Sequence, residues 1–336
     1  MKYEFRFFER ADLPEIQEMI LRSYAWDYPA FSLSRLQFVD GLHPAFCHFD
    51  RFWERTVGVY REGGRIVACA INEGNDDGTA FFLFDSRERA FDGELLSDML
   101  FFAQTTMSCV ADESGIRRTA QLVIPEWNTA LKALAEARGF VRSGQERTRI
   151  RAFSGQRFPV RLPEGYRLAD GIDSPAFYRA NVHMAAFHYS IHSVPDGERA
   201  FAALRKQPNY APRLDLCALD PQGRPVAMAN IWADVRMPYC ELEPLGVAWW
   251  ERRKGLATAL LNEAANRVME LYPGCRGMVG GDQPFYEKLG FEVKAVAPVY
   301  RWEADIYPSW DPRSEAVNHR ALMERGGASS GWTIGC

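Results

Sequence analysis

The sequence has no run of about 18 apolar residues that could span a bilayer. Its opening, MKYEFRFFER, lacks the apolar centre of a secretion signal, so the expectation is a cytoplasmic protein with no membrane partner. No C-x-x-C pair occurs among the seven scattered cysteines (Cys47, Cys69, Cys109, Cys217, Cys240, Cys275, Cys336), which argues against a disulfide framework or a structural zinc site. Reduced, buried thiols and no metal are expected. There is no basic excess either, since 40 Lys and Arg face 44 Asp and Glu for a net charge of −4, so no nucleic-acid partner is expected. With 47% hydrophobic and 25% charged residues, the composition is that of a folded globular chain rather than a disordered one.

What is present is enough chain for two cores. At 336 residues the sequence exceeds the roughly 250–300 at which a single core stops growing. Landmarks recur in the same order in each half. Gly63-Gly64 joins apolar runs at 56–60 and 66–71 as a hairpin turn, and Asp220-Pro221-Gln222-Gly223 does the same between 214–219 and 226–232. Upstream of each hairpin lies a helix start, Asp12 with Pro14 and Glu15 in the first half and Ser174 with Pro175 in the second. Downstream, Arg138-Gly139-Phe140 and Leu289-Gly290-Phe291 close helices. The repeated order predicts two copies of one α/β unit. The pattern breaks at 152–164, through Phe153-Ser154-Gly155-Gln156 and Leu162-Pro163-Glu164-Gly165. Domains at 1–152 and 160–304 are expected, with 305–336 as a polar C-terminal tail.

The chemistry concentrates in the second half. Residues 240–271 read as strand, turn and long helix. Glu241-Leu242-Glu243-Pro244-Leu245-Gly246-Val247 leads to the basic turn Arg252-Arg253-Lys254-Gly255, after which Leu256, Leu260, Ala264, Val268 and Leu271 fall on one helical face. Pro273-Gly274 stops the helix. Such a turn aims unpaired backbone N–H groups and the positive end of the helix dipole at one spot, where an anion can sit. Gly255 allows close approach of the backbone, and Ala257 keeps the first turn free of bulk.

Leu245-Gly246-Val247, Arg252-x-x-Gly255-x-Ala257 and Phe285-Tyr286-Glu287-Lys288-Leu289-Gly290-Phe291 stand in the order and spacing of the GNAT N-acetyltransferase superfamily. The chain resembles that family across 165–303, and in layout alone across 3–151. The resemblance implies an α/β (α+β) protein of two tandem GNAT-like domains, each a mixed, mostly antiparallel sheet flanked by helices. It implies acetyl-CoA as co-substrate, with the pyrophosphate on Arg252, Arg253, Lys254, Gly255, Leu256, Ala257 and Thr258 and the pantetheine along Leu245, Gly246 and Val247. It implies direct transfer to a primary amine with no cysteine nucleophile. That chemistry needs a base and an acid. Glu243 or Glu241, two residues apart on one strand, can serve as base, Glu243 being favoured, and Tyr286 matches the family tyrosine whose hydroxyl reaches the CoA sulfur.

The first copy reads differently at the corresponding turn. Gly93 is flanked there by Asp92 and Glu94, with Asp98 one turn later, so carboxylates stand where phosphates would bind. Its last helix has residues 133–137 in place of a tyrosine. A degenerate copy without a CoA site is expected, one that supports or shapes the acceptor pocket.

Weaker signals complete the reading. His183, His188 and His192 lie near the second copy's first helix. His188 and His192 are expected substrate contacts rather than metal ligands, because no third ligand lies near. Gly327-Ala328-Ser329-Ser330-Gly331 fits G-x-S-x-G but follows no strand and opens no helix. The aromatic and histidine cluster between Trp26 and Trp53 reads as core or interface. The acidic strand pair favours a cationic amine, small molecule or peptide, as acceptor, on a monomer or homodimer. The function expected is an N-acetyltransferase acting from acetyl-CoA on a primary amine. The alternative is a non-catalytic acyl-CoA-binding sensor or scaffold.

Overall fold

The computed structural model describes residues 2–26, 28–41, 49–74, 78–111, 117–189 and 194–305. The first elements are β1 Glu4–Phe7, α1 Leu13–Ser23, α2 Leu33–Gly41, α3 Phe49–Thr56, β2 Gly58–Glu62, β3 Arg65–Ile71 and β4 Thr79–Phe84. Next come α4 Gly93–Phe102, β5 Cys109–Val110, β6 Arg117–Val123, α5 Thr129–Ala137 and β7 Val141–Ala152. The second half holds β8 Arg167–Ala169, α6 Ala176–Phe187, α7 Val194–Leu204, β9 Asp215–Leu219, β10 Pro225–Trp232 and β11 Cys240–Val247. It ends with α8 Leu256–Leu271, β12 Gly277–Gly280, α9 Pro284–Lys288 and β13 Glu292–Asp305.

The described residues group into two compact units that are not contiguous in sequence. One takes its residues from Met1–Ser32, Phe49–Glu146 and Ala295–Cys336, the other from Leu33–His48 and Arg147–Lys294. In the first unit the strand order is β1-β2-β3-β4-β6-β13, with β5 also on β6, and every pairing except β4 with β6 is antiparallel. In the second it is β7-β12-β11-β10-β9-β8, again antiparallel except for β11 with β12. This is the repeat that the landmarks predict. Each unit borrows its last strand: β7 follows the first unit's α5 yet pairs through residues 149–152 with β12, and β13 follows α9 yet pairs through residues 299–305 with β6.

The hydrophobic period accounts for the layers of the second unit. Along β10, Ala227, Ala229 and Ile231 face α8, whose Leu256, Leu260, Leu261, Ala264 and Val268 are all buried with them. Met228 and Trp232, on the opposite face of the same strand, pack with Ala180 and Val182 of α6 and Phe201 of α7. A sheet strand covered on both faces is nearly continuously apolar, as β10 is. The first unit builds a separate core from Leu95, Leu96, Met99 and Leu100 of α4 against Tyr60, Val67, Phe82 and Phe84.

Two local details differ from the simplest reading. Ser174 does not cap α6. Its hydroxyl donates to the Asp170 carbonyl and accepts from Arg179, whose buried guanidinium also pairs with Asp215 at 2.7 Å. A buried charge must be fully hydrogen-bonded, and that demand outweighs the cap. The segment after β7 is irregular but tied down: Asn266 bonds both the N–H and the carbonyl of Phe158 (2.8 and 3.0 Å), and Asn262 donates to the Pro159 carbonyl at 2.7 Å. The terminal G-x-S-x-G, residues 305–336 beyond Asp305, and His43, Phe46 and His48 lie outside the described residues.

Candidate functional site

Strand β11 pairs with β12 only through Cys240 and Glu241, opposite Met278 and Val279. From Leu242 onward the strands part, and one edge of β11 is left open. Its other edge stays on β10, where Leu242 opposes Ile231 and Leu245 opposes Ala229. Three steps along β11 thus match two along β10, a β-bulge centred on Glu243-Pro244. Beyond the bulge, the Ala248 N–H donates to the Val226 carbonyl at 2.9 Å. In an antiparallel ladder alternate residues point to alternate edges, so Leu245 and Val247 turn their N–H and C=O groups toward the open side.

The open edge leads directly into the basic turn. Arg252 folds back, donating to the Ala186 carbonyl at 2.7 Å and lying 3.4 Å from the Val247 carbonyl. Lys254 Nζ is held 2.9 Å from the Glu251 carboxylate and 3.0 Å from the Tyr166 hydroxyl, and those two partners raise its pKa. Arg253 is exposed, at φ +66°, and has no partner among the described residues. Gly255 is the N-cap of α8 at φ +81°, and no side chain caps the helix. A residue with a Cβ is strained in that backbone region. The first helical bond across this cap runs from Ala259 N–H to the Gly255 carbonyl at 3.0 Å, so the N–H groups of Leu256, Ala257 and Thr258 have no intrahelical acceptor. No acidic residue lies in the first turn to oppose an anion.

Across the gap stands Tyr286 on α9. Its ring packs on the backbone of Gly280 and Gly281, where a Cβ at Gly280 would come 2.7 Å from the ring and one at Gly281 would come 3.0 Å from it. Phe285 and Phe291 press edges against the ring, at centroid distances of 5.3 and 5.2 Å. Burial, and then the negative charge of Glu243, push the Tyr286 phenol up to about 12, while the Gly281 N–H bonded to its oxygen pulls the other way. The charge of Glu243 is thus felt at Tyr286.

Glu241 goes elsewhere. It is buried, and its carboxylate accepts the backbone N–H of Ser34 at 2.7 Å, at the first turn of α2. The bulge separates the two glutamates, one toward α2 and one toward Tyr286. His188 is exposed at φ +59°, just past the end of α6, and His192 lies outside the described residues. His183 is buried and stacks on Tyr189 at 5.3 Å. Sequence reasoning missed the bulge, the glycine bed under Tyr286, the Ser34 contact and Asn230. Asn230 opposes the bulge: its Nδ2 lies 3.4 Å from the Glu243 carbonyl, and its buried Oδ1 has no partner among the described residues. The Gly280-Gly281 pair was the available signal, since glycines before a tyrosine helix mark a close backbone approach.

In the first unit the equivalent helix start is filled from within. Asp92 is the N-cap of α4, and its carboxylate accepts the N–H groups of Glu94 and Leu95, each at 3.2 Å. Lys2 also bonds it at 3.0 Å. These partners, with the Tyr3 hydroxyl first among them, hold the Asp92 carboxyl down to about 2. Among the described residues no group of three His, Cys, Asp or Glu could hold a metal, and no helix is long and apolar enough to cross a membrane.

Residues 181–291 match the Acetyltransferase (GNAT) family. Among solved structures, a tandem GNAT protein from the clavulanic acid biosynthesis pathway is similar at 17% identity and TM-score 0.58, covering 91% of this chain and 99% of that one. A GCN5-related N-acetyltransferase from Sphaerobacter thermophilus is similar at 19% identity and TM-score 0.51, covering 90% and 96%. At these identities the likeness is one of fold. No curated protein matches the chain.

Proposed function

We propose that this chain, whose residues 181–291 match the Acetyltransferase (GNAT) family, is an N-acetyltransferase that moves an acetyl group from acetyl-CoA to a primary amine. The observation that carries the reading is the open edge of β11, which runs from the Glu243 bulge, beside Tyr286, to the uncapped start of α8. The thioester supplies an activated acyl group. Leu245 and Val247, with Gly246 between them, offer strand hydrogen bonds to an extended amide chain. Gly255, Leu256, Ala257 and Thr258 present backbone N–H groups to a pyrophosphate, with Arg253 adding charge and Arg252 and Lys254 fixing the turn.

Glu243 accepts a proton from the incoming ammonium, directly or through water, leaving nitrogen with a lone pair for attack. Tyr286, still protonated at neutral pH, donates its proton to the sulfur as the C–S bond breaks, and the second proton lost by nitrogen as the amide forms restores the phenol. Its raised pKa keeps the phenol protonated at neutral pH, so the proton is in place when the C–S bond breaks. Glu241, used by Ser34, is placed to anchor α2, and so Glu243 is the base of choice. His188, exposed past α6, is proposed as an acceptor contact, with His192 beside it in sequence. The first unit, its helix start closed by Asp92, is proposed to bind no CoA.

The test is release of free CoA thiol from acetyl-CoA over a panel of primary amines, followed with a thiol reagent. Turnover lost in Tyr286→Phe supports the reading. CoA binding with no turnover on any amine would identify a non-catalytic CoA-binding module instead, and absence of CoA binding would sink both.

A further inference from the structure

Two thiols with no role in acyl transfer meet at the closed end of the gap between β11 and β12. Cys240 is the first residue of β11 and fully buried; Cys275 lies in the turn between α8 and β12 and is 8% exposed. The Cys240 backbone N–H donates to Cys275 Sγ at 3.1 Å, and the Cys275 thiol donates to the Gly277 carbonyl at 3.2 Å. Their backbones are tied in place, Cys275 N–H to the Tyr272 carbonyl at 2.9 Å and Arg276 N–H to the Pro238 carbonyl at 2.8 Å. The sulfurs therefore stay neighbours.

The two thiols are also electronically unequal. The Cys240 hydrogen bond, opposed by burial, holds the Cys275 thiol down to about 7, whereas burial first and Cys275 second push Cys240 up. Burial pushes Cys69 and Cys217 up as well. A thiolate is the reactive form of cysteine.

We propose that Cys240 and Cys275 are an oxidant-reactive pair that closes to a disulfide, Cys275 attacking first and Cys240 resolving. The Cys275 thiolate attacks one oxygen of hydrogen peroxide, the O–O bond breaks, hydroxide leaves and Cys275 becomes a sulfenic acid. The Cys240 sulfur then gives up its proton and bonds to the Cys275 sulfur as the S–O bond breaks and water leaves. In total the two thiols lose two electrons and two protons, and the peroxide ends as two waters. The new bond fastens β11 to the turn before β12, one residue from Glu241. Nothing in this step depends on the acyl-transfer reading.

The experiment treats the full chain with hydrogen peroxide, blocks remaining thiols with iodoacetamide and maps the peptides by mass. The result expected is joint loss of labelling at Cys240 and Cys275, a dominant cross-linked peptide joining them, and recovery with dithiothreitol. In Cys240→Ala, Cys275 is expected to be trapped by dimedone as the sulfenic acid; the wild-type map stands independently if that variant fails to fold. The proposal is overturned if both thiols stay labelled while other cysteines oxidise, or if Cys275 cross-links chiefly to another cysteine.

Discussion

Tyr286 holds a proton that its surroundings do not let go. The folded protein retains it up to about pH 12, while an unfolded chain releases it near pH 10. This raised pKa gives a stability contribution that is complete below pH 10 and lost as pH rises through 12. Absorbance titration should accordingly show a late-ionising set that Tyr286 shares with Tyr60 and Tyr210, and Tyr286→Phe should shrink that late step by one tyrosine. The same variant should lower kcat by about a hundredfold with little change in KM, as removal of a general acid does. The two glutamates separate cleanly. Glu241→Ala strips a buried N–H of its carboxylate partner and should cost about 2 kcal/mol in urea unfolding, whereas Glu243→Ala should leave the urea midpoint nearly unchanged and remove turnover. Tyr286 and Glu243 could be proposed from the sequence because their neighbours mark them. The occupation of Glu241 was not, since Ser34 lies 207 positions away and a bond that distant leaves no local pattern.

At the scale of elements, the same helix start has two fates in one chain. In α8 the cap is a bare glycine at φ +81°, and in α4 it is a carboxylate that satisfies the first amides itself. Asp92→Ala should therefore destabilise the protein by about 1 kcal/mol, as loss of an N-cap does, read from denaturant unfolding. Because partners hold Asp92 down to about 2, its stabilisation is present above the unfolded value near 3.9 and disappears as pH falls through 2. The acid side of the stability profile should flatten in the variant. Helices, hairpins and their order were legible because spacing and turn residues specify them locally. The β11 bulge was not, because it is a mismatch between two strands, and neither strand alone contains it.

At the scale of the molecule, two similar units with one open helix start predict a binding stoichiometry. Calorimetric titration should give one CoA per chain, and a second site of comparable affinity would contradict the closure by Asp92. The strand borrowing bears on how the protein comes into being. During synthesis most of the first unit precedes the second, yet the strand that covers β6 is residues 299–305 of β13, made only after residues 147–294 of the second unit. The first unit's sheet therefore stays unfinished, with β6 uncovered, until residues 147–294 have been made. A fragment truncated at residue 152 should behave as that nascent state does, aggregating on expression or binding a hydrophobic dye, while addition of the second half in trans should rescue it. The unit synthesised first is completed last.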